Sequence, residues 1–205
     1  MDRKTHWERI YATKPSNAVS WFQEEPSLSL RLLEAAGVGP ASRVIDIGGG
    51  DSRLVDRLVE RGLRGVTVLD ISGAALARAK ARLGPRQSLV TWIEADVTGE
   101  WSVPPVDIWH DRAVFHFLTH AGDRMRYVAG LRQTVKPGGA VIIATFALDG
   151  PEKCSGLPVT RYSAETLGEE LGAGFQLAET ANEQHETPFG TVQSFCYSRF
   201  SRTER

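Results

Sequence analysis

The chain has 205 residues, 41% of them hydrophobic and 24% charged, and its formal net charge is -1. That length suits one domain able to bury about 70% of its unfolded surface, and the near-neutral balance gives no global electrostatic reason to expect nucleic acid or an anionic membrane as partner. The polar start is followed by no signal-peptide core, and the longest apolar run, Ala140 to Leu148, is shorter than the ~20 residues a bilayer requires. Cys154 and Cys196 make neither a disulfide framework nor a metal cluster, so the expectation is a soluble, cytoplasmic protein without a metal.

In chain order, Asp2 to Tyr11 reads as a short helix with Trp7, Ile10 and Tyr11 as its apolar stripe, and Pro15-Ser16-Asn17 marks a loop. Trp21 and Phe22 come before any strand; they either pack an N-terminal arm or close over a ligand pocket. Pro26-Ser27 opens a second helix through Ala36, ended by Gly37 and Pro40. Arg43-Val44-Ile45-Asp46-Ile47 then reads as a buried parallel strand. It runs into Gly48-Gly49-Gly50, and a helix pattern with Leu54, Val55, Leu58 and Val59 follows at once. Glycine serves where the chain turns sharply or must lie against a ligand, so strand, turn and helix form a cradle at the carboxyl edge of an α/β sheet.

The alternation continues through strand Val66 to Asp70, helix Gly73 to Leu83, strand Leu89 to Ala95, and strand Val106 to Trp109 ending at His110-Asp111-Arg112. A helix carrying Val114, Phe115, Phe117 and Leu118 is expected next, then one from Asp123 to Val135, then an apolar strand from Ala140 to Phe146. These units imply parallel βαβ connections. Asp149 to Tyr162 reads as a long polar loop, Ala164 to Leu171 as a helix, and Phe175 to Glu183 with Thr191 to Phe200 as two strands around Pro188-Phe189-Gly190.

A dinucleotide fingerprint requires G-x-G-x-x-G, and Arg53 stands at the third glycine's place. Instead, acids mark successive strands: Asp46 within the first, Asp70 ending the second, Asp96 ending the third. From Arg43 to Phe146 this order resembles the class I S-adenosylmethionine-dependent methyltransferases. The arm around Trp7-Glu8-Arg9-Ile10-Tyr11 is more loosely similar to a subgroup that includes protein-lysine methyltransferases.

The resemblance implies a three-layer Rossmann-like α/β sandwich whose mostly parallel seven-stranded sheet ends in an antiparallel hairpin. It implies one domain: an arm or lid over 1–40, a cofactor-binding core over 41–146, and a substrate-side loop and hairpin over 147–205. Its cofactor would be S-adenosylmethionine. Asp46 and Gly48, Gly49 and Gly50 would serve the methionine end, Asp70 the ribose hydroxyls, and Asp96 the adenine amine between Ile71 and Val97, with Trp21 as cover. Asp51 and Ser52 are also placed simply to cap the next helix.

Methyl transfer from a sulfonium depends on positioning, and a base is needed only when the nucleophile arrives protonated. Fourth-strand ends face the methyl group in such folds. That nominates His110 for substrate, and Asp111, Arg112 and His116 for catalysis, His116 being one helical turn beyond Arg112. A structural ion pair at Asp111-Arg112 and simple packing of His116 between Phe115 and Phe117 are equally open. Cys154, Arg161 and Tyr162 in the long loop, and His185 and Gln193 in the hairpin, are further candidates for the substrate side. The expected acceptor is a nitrogen, sulfur or oxygen nucleophile on a small molecule or a protein side chain, with nucleic acid third. A cofactor-binding protein without turnover and an NAD(P)-dependent oxidoreductase are the alternatives.

Overall fold

The computed structural model describes residues 2–203. Helix α1 (Arg3–Thr13) is N-capped by Asp2, which accepts from the Thr5 amide. A 3-10 turn follows at Ser16–Ala18, then α2 (Ser27–Ala35). The alternating part comprises β1 (Arg43–Ile47), α3 (Leu54–Glu60), β2 (Gly65–Asp70), α4 (Gly73–Leu83), β3 (Val90–Glu94), β4 (Val106–Arg112), α5 (Ala121–Thr134) and β5 (Val135–Phe146). Two short strands, β6 (Lys153–Cys154) and β7 (Leu157–Pro158), precede α6 (Ala164–Leu171), and β8 (Phe175–Glu186) with β9 (Val192–Arg202) complete the fold.

The seven long strands form one sheet in the order β3-β2-β1-β4-β5-β9-β8. The first five strands are parallel, while β9 lies antiparallel to both β5 and β8. The chain winds outward from β1 to β3, returns, and winds outward the other way from β4. The reversal between β1 and β4 opens a crevice at their carboxyl ends.

Alternation along each strand sorts the core into two layers. Val44, Val66, Val68, Ile108 and Ile142 pack against α2, α3 and α4 through Leu33, Leu54, Leu58 and Leu76. Ile45, Ile47, Leu69, Trp109 and Ile143 pack against α5 and α6 through Tyr127, Leu131, Leu167 and Leu171. Full burial of each such aliphatic side chain contributes ~1.5–3 kcal/mol. The three-layer α/β sandwich expected from the sequence is therefore present.

Three local differences matter for the site. β4 runs past Trp109 to Arg112, because the backbones of His110 and Asp111 pair with β1 on one side and β5 on the other. The helix expected over Val114 to Leu118 is a single 3-10 turn, Phe115–Phe117. Ala113 there adopts φ 71, and the Asp111 carboxylate takes the amides of Val114 (2.9 Å) and Phe115 (3.1 Å). The long loop contains the β6–β7 hairpin, turned through Ser155 and Gly156 at φ 52 and 81.

Candidate active site

Asp46 lies in the middle of a fully buried strand, where an unpaired carboxylate would be costly. Its Oδ1 meets His110 Nδ1 at 2.7 Å, and His110 Nε2 meets Ser29 Oγ at 2.9 Å, so a polar chain links β1, β4 and α2. Asp46 Oδ2 is buried without a partner.

Beyond Ile47 the chain turns at Gly48, whose φ is +65 and whose amide donates to the Leu69 carbonyl at 2.7 Å. A Cβ at Gly48 would collide with Val114 Cγ2. At Gly50 it would lie 2.6 Å from Asp70 Oδ2. Side chains are thus excluded sterically as well as conformationally. Arg82 of α4 fixes the outgoing limb: it pairs with Asp51, donates to the Ser52 carbonyl (2.7 Å) and holds Asp56 (2.8 Å). Asp51 also accepts from Ser16, and Ser52 Oγ accepts from the Leu54 amide, so these two residues serve the turn and the arm.

Two adjoining cavities open on this turn and share Tyr11, Trp21, Ile47, Gly48 and Arg112 as walls. The larger, about 830 Å³, runs from Asp70, Ile71, Asp96 and Val97 at one end to Phe146, Cys154, Gln193 and Phe195 at the other. The smaller, about 610 Å³, is lined by Asp46, Gly49, Ser29 and His110 among others.

Asp70 ends β2 and is buried; its Oδ1 accepts from the Ser72 amide at 2.8 Å. Burial pushes its carboxyl up to about 7, helped by the charges of Asp46 and Glu8 and opposed by the amides of Ser72 and Gly50. Asp96 accepts from Thr98 through both amide (2.8 Å) and hydroxyl (2.7 Å), leaving Oδ2 facing Arg3 at 3.4 Å. α1 roofs the cavity: Glu8 takes the amides of Gly73 (2.6 Å) and Ala74 (3.2 Å) at the start of α4, while Arg3 reaches Asp96 and Asp123.

The far end is aromatic. Trp7 packs edge-on to Trp21 (5.6 Å) and Phe117 (5.1 Å), and the Trp21 indole donates to the Tyr11 hydroxyl at 3.2 Å. Arg112 stands where the two cavities meet. It donates to Tyr197 (2.8 Å) and to the Trp21 carbonyl (3.0 Å), approaches Glu183 (3.4 Å), and lies over the Phe195 ring at 4.5 Å.

Of the residues nominated by sequence, Trp21, Asp46, Gly48, Gly49, Asp70, Ile71, Asp96, Val97, His110, Arg112, Cys154 and Gln193 line the two cavities, and Gly50 backs Asp70. Five do not. Asp111 is fully buried beneath the turn, committed to the amides of Val114 and Phe115 and to the Tyr127 hydroxyl at 2.6 Å. His116 is fully buried against Phe117 and Phe146; its Nδ1 accepts the Phe146 amide at 3.1 Å, and burial lowers it to about 3. Its expected helical alignment with Arg112 fails because Ala113 interrupts the helix phase. Arg161 donates to the Gly150 carbonyl and pairs with Glu152. Tyr162 packs on Phe115 in the opposite core layer. His185 donates to the Ser20 carbonyl at 2.7 Å, which ties the arm to β8.

Sequence reasoning passed over Arg3, Phe117, Phe146 and Phe195 as cavity walls. The Trp7–Tyr11 stripe was the available signal, since α1 lacks a sheet strand of its own to cover. Among the described residues no cluster of His, Cys, Asp or Glu is arranged for a metal, and no helix is long and apolar enough to cross a membrane.

The donor set fits a nucleoside that carries an amino acid. The unpartnered Asp46 oxygen suits an ammonium, Asp70 suits two vicinal hydroxyls, and Asp96 between Ile71 and Val97 suits a flat amino-bearing base. Such a site at the switch point of a 3-2-1-4-5 parallel sheet, extended by an antiparallel hairpin, defines a nucleoside-cofactor-binding α/β domain. Residues 44–139 match the family model of a methyltransferase domain. The chain is 32% identical over 161 residues to the ribosomal protein L11 methyltransferase of Geobacter metallireducens, covering 77% of this chain and 46% of that protein.

Among solved structures, an enzyme described by conversion of a disulfide bond into a thioacetal group during echinomycin biosynthesis superposes with a TM-score of 0.79 at 17% identity, covering 98% of this chain and 94% of that one. The N-methyltransferase NodS of Bradyrhizobium japonicum, in complex with S-adenosylhomocysteine, gives 0.74 at 18% identity over 99% and 100% of the two chains. Residues 44–139 therefore carry a methyltransferase domain, and the fold of the whole chain is that of these solved structures. The methyltransferase domain replaces the oxidoreductase alternative. The chain spans less than half the length of the curated relatives it matches.

Proposed function

We propose that this chain methylates a small molecule at a nucleophile that reaches the site already neutral and unprotonated, a nitrogen or a thioether-like sulfur in preference to a hydroxyl. One observation carries the reading: among the described residues, the aromatic end of the larger cavity holds no side chain able to take a proton near neutral pH. Burial pushes the Tyr11 phenol up, and it raises the Cys154 thiol to about 11. Arg112 only donates, and His116 lies outside the cavity. A hydroxyl acceptor would need a base there; a neutral amine would not.

When bound, S-adenosylmethionine supplies an electrophilic methyl on a sulfonium, which departs as a neutral thioether while the new bond forms. The residues of this chain do the placing. Asp70 and Asp46 would hold the two ends of the cofactor on either side of Gly48, and the acceptor would be presented from the junction by Arg112. Orientation of this kind can supply up to ~7–11 kcal/mol of the barrier. Arg112, through the Trp21 carbonyl, keeps the arm closed over that junction. In this reading the residues before β1 form the roof, β1 to β5 hold the cofactor, and β6 to β9 close the acceptor end. The roof formed by α1 and the arm favours a small acceptor over a folded protein's side chain.

The test is transfer of labelled methyl from S-adenosylmethionine into a cell extract, separated afterwards by dialysis. Label in the dialysable fraction, absent with an Asp70→Ala control, is the expected result. Label retained with protease-sensitive macromolecules would replace the small-molecule reading with a protein acceptor.

A further inference from the structure

Gln193 occupies the first turn-proximal position of β9 that faces inward. Alternation places it on the same face as Phe195 and Tyr197, over which Arg112 lies. It lines the larger cavity and is 9% exposed, yet its Oε1 has no hydrogen-bond partner among the described residues. Across the hairpin its neighbour is His185, whose ring nitrogen is already given to the Ser20 carbonyl. A buried carbonyl oxygen left unpaired is unfavourable, so such a group calls for a partner.

The rest of the chamber narrows what that partner is. Among the described residues lining this cavity, Gln193 alone has a buried polar side-chain atom left over. The Tyr11 hydroxyl takes the Trp21 indole, burial raises the Cys154 thiol to about 11, and Arg112 is spent on Tyr197, Trp21 and Glu183. The remaining surface there is aromatic: Trp7, Trp21, Phe117, Phe146 and Phe195. Rings of this kind favour a flat guest. Among the described residues no free carboxylate lines that end to balance a cation, and the Arg112 guanidinium already covers Phe195, so a neutral guest is favoured.

Resting on the methyltransferase reading above, we propose that Gln193 Oε1 accepts a hydrogen bond from an N–H of the methyl acceptor. The acceptor is then a neutral, flat, N–H-bearing compound, an aromatic amine or an azole. Gln193 determines specificity by turning the nitrogen lone pair toward the junction at Gly48. In an azole the N–H is held on one ring nitrogen while the lone pair of the other is methylated; the S–CH3 bond breaks as N–CH3 forms, and the N–H proton is shed to water on release.

The experiment compares benzimidazole with benzoxazole, which has the same shape and ring nitrogen but an oxygen in place of the N–H. Each is titrated calorimetrically into full-length protein saturated with S-adenosylhomocysteine. Benzimidazole is expected to bind about tenfold or more tightly, the range a ~1–3 kcal/mol hydrogen bond gives. In Gln193→Met, close in shape and lacking the acceptor, the ratio should fall below about threefold. In Gln193→Glu, which restores an acceptor, the preference for benzimidazole should return. Equal affinities in the wild type, no binding of either probe, or a preference that survives in Gln193→Met would each overturn the proposal. Saturation by S-adenosylhomocysteine is read separately as a melting shift that Asp70→Ala abolishes. A failed Gln193 assignment is thereby distinguished from a failed cofactor site.

Discussion

The sharpest consequence of the cofactor geometry is a pH dependence set by Asp70. Its carboxyl is raised to about 7, first by burial and then by the charges of Asp46 and Glu8. Accepting from both hydroxyls of a ribose requires both carboxylate oxygens to be without a proton. Binding therefore draws on the ionised form, and the apparent dissociation constant grows as pH falls through 7. With a single group at about 7, affinity drops about tenfold between pH 8 and pH 6 and about a hundredfold by pH 5.

Stability moves the other way. A folded-state value above the ordinary 3.8 means that the proton favours the fold: Asp70 contributes stability fully present below pH 3.8 and lost as pH rises through 7. Between pH 5 and pH 8 this amounts to about 3 kcal/mol. His116, held down to about 3 by burial, has the opposite sign, contributing stability above 6.5 that is lost as pH falls. The difference between wild type and Asp70→Ala isolates the Asp70 part. The assay is calorimetric titration of S-adenosylhomocysteine from pH 5 to 8, with urea unfolding of both proteins without ligand. Wild-type affinity should climb with pH while the variant stays weak and flat, and the variant should gain stability relative to wild type toward pH 8. Affinity independent of pH in the wild type, or an equal slope in the variant, would refute the carboxylate-to-ribose assignment.

Three further outcomes follow from other contacts. Asp46→Asn removes the charge of the unpartnered oxygen that faces the smaller cavity, so S-adenosylhomocysteine should bind about 10–100-fold more weakly. Methylthioadenosine, which lacks the amino-acid end, should be nearly unaffected in the same calorimeter. Gly48→Ala places a methyl group on Val114 Cγ2 at a φ of +65, and fluorimetry should show both a lower melting temperature and loss of the ligand-induced shift. His116→Leu strips the Phe146 amide of its acceptor and should cost about 1–3 kcal/mol in urea unfolding. Cofactor affinity should stay unchanged, and a selective loss of turnover at full stability would return His116 to the active site.

The parts of the site that were legible in the sequence are those the backbone itself demands. Three glycines after a β-branched strand have one steric reading, and Gly48 and Gly50 prove to be positions where a Cβ would strike Val114 or Asp70. An acid ending each of two strands lies at the sheet edge whatever else the chain does, so Asp70 and Asp96 were placed correctly beside the cavity. Of the polar run His110-Asp111-Arg112, the strand end was misplaced and Asp111 lies outside the cavities, for the complementary reason. Three polar residues suggest a strand that has ended, yet each is absorbed by a partner distant in sequence: Asp46 and Ser29 for His110, Tyr127 for Asp111, Tyr197 and Glu183 for Arg112. A periodicity argument sees the polar residue and not the partner. The link from Arg112 to His116 assumed unbroken helical phase, and one left-handed residue, Ala113, was enough to rotate His116 into the core.

That contrast separates the two ends of the larger cavity. The cofactor end is built from strand ends and turns between Asp46 and Val97, nearly contiguous in the chain and fixed by the register of β1, β2 and β3. The acceptor end is assembled from α1, the arm, the turn after β4, the ends of β5 and β6, and β9, so Trp7 and Gln193 meet across most of the chain. None of these side chains is required by the sheet; Phe146 and Phe195 pair as edge-on rings, but Gln193 satisfies nothing in the protein itself. Phe146 and Phe195 belong to the hydrophobic core, but replacing Trp7, Phe117 or Gln193 at the acceptor end leaves the cradle of Asp46, Gly48 and Asp70 untouched. Acceptor preference can be altered at Trp7, Phe117 and Gln193 with cofactor affinity held constant, and a Gln193 variant that changed S-adenosylhomocysteine affinity as much as probe affinity would show that the two ends are coupled after all.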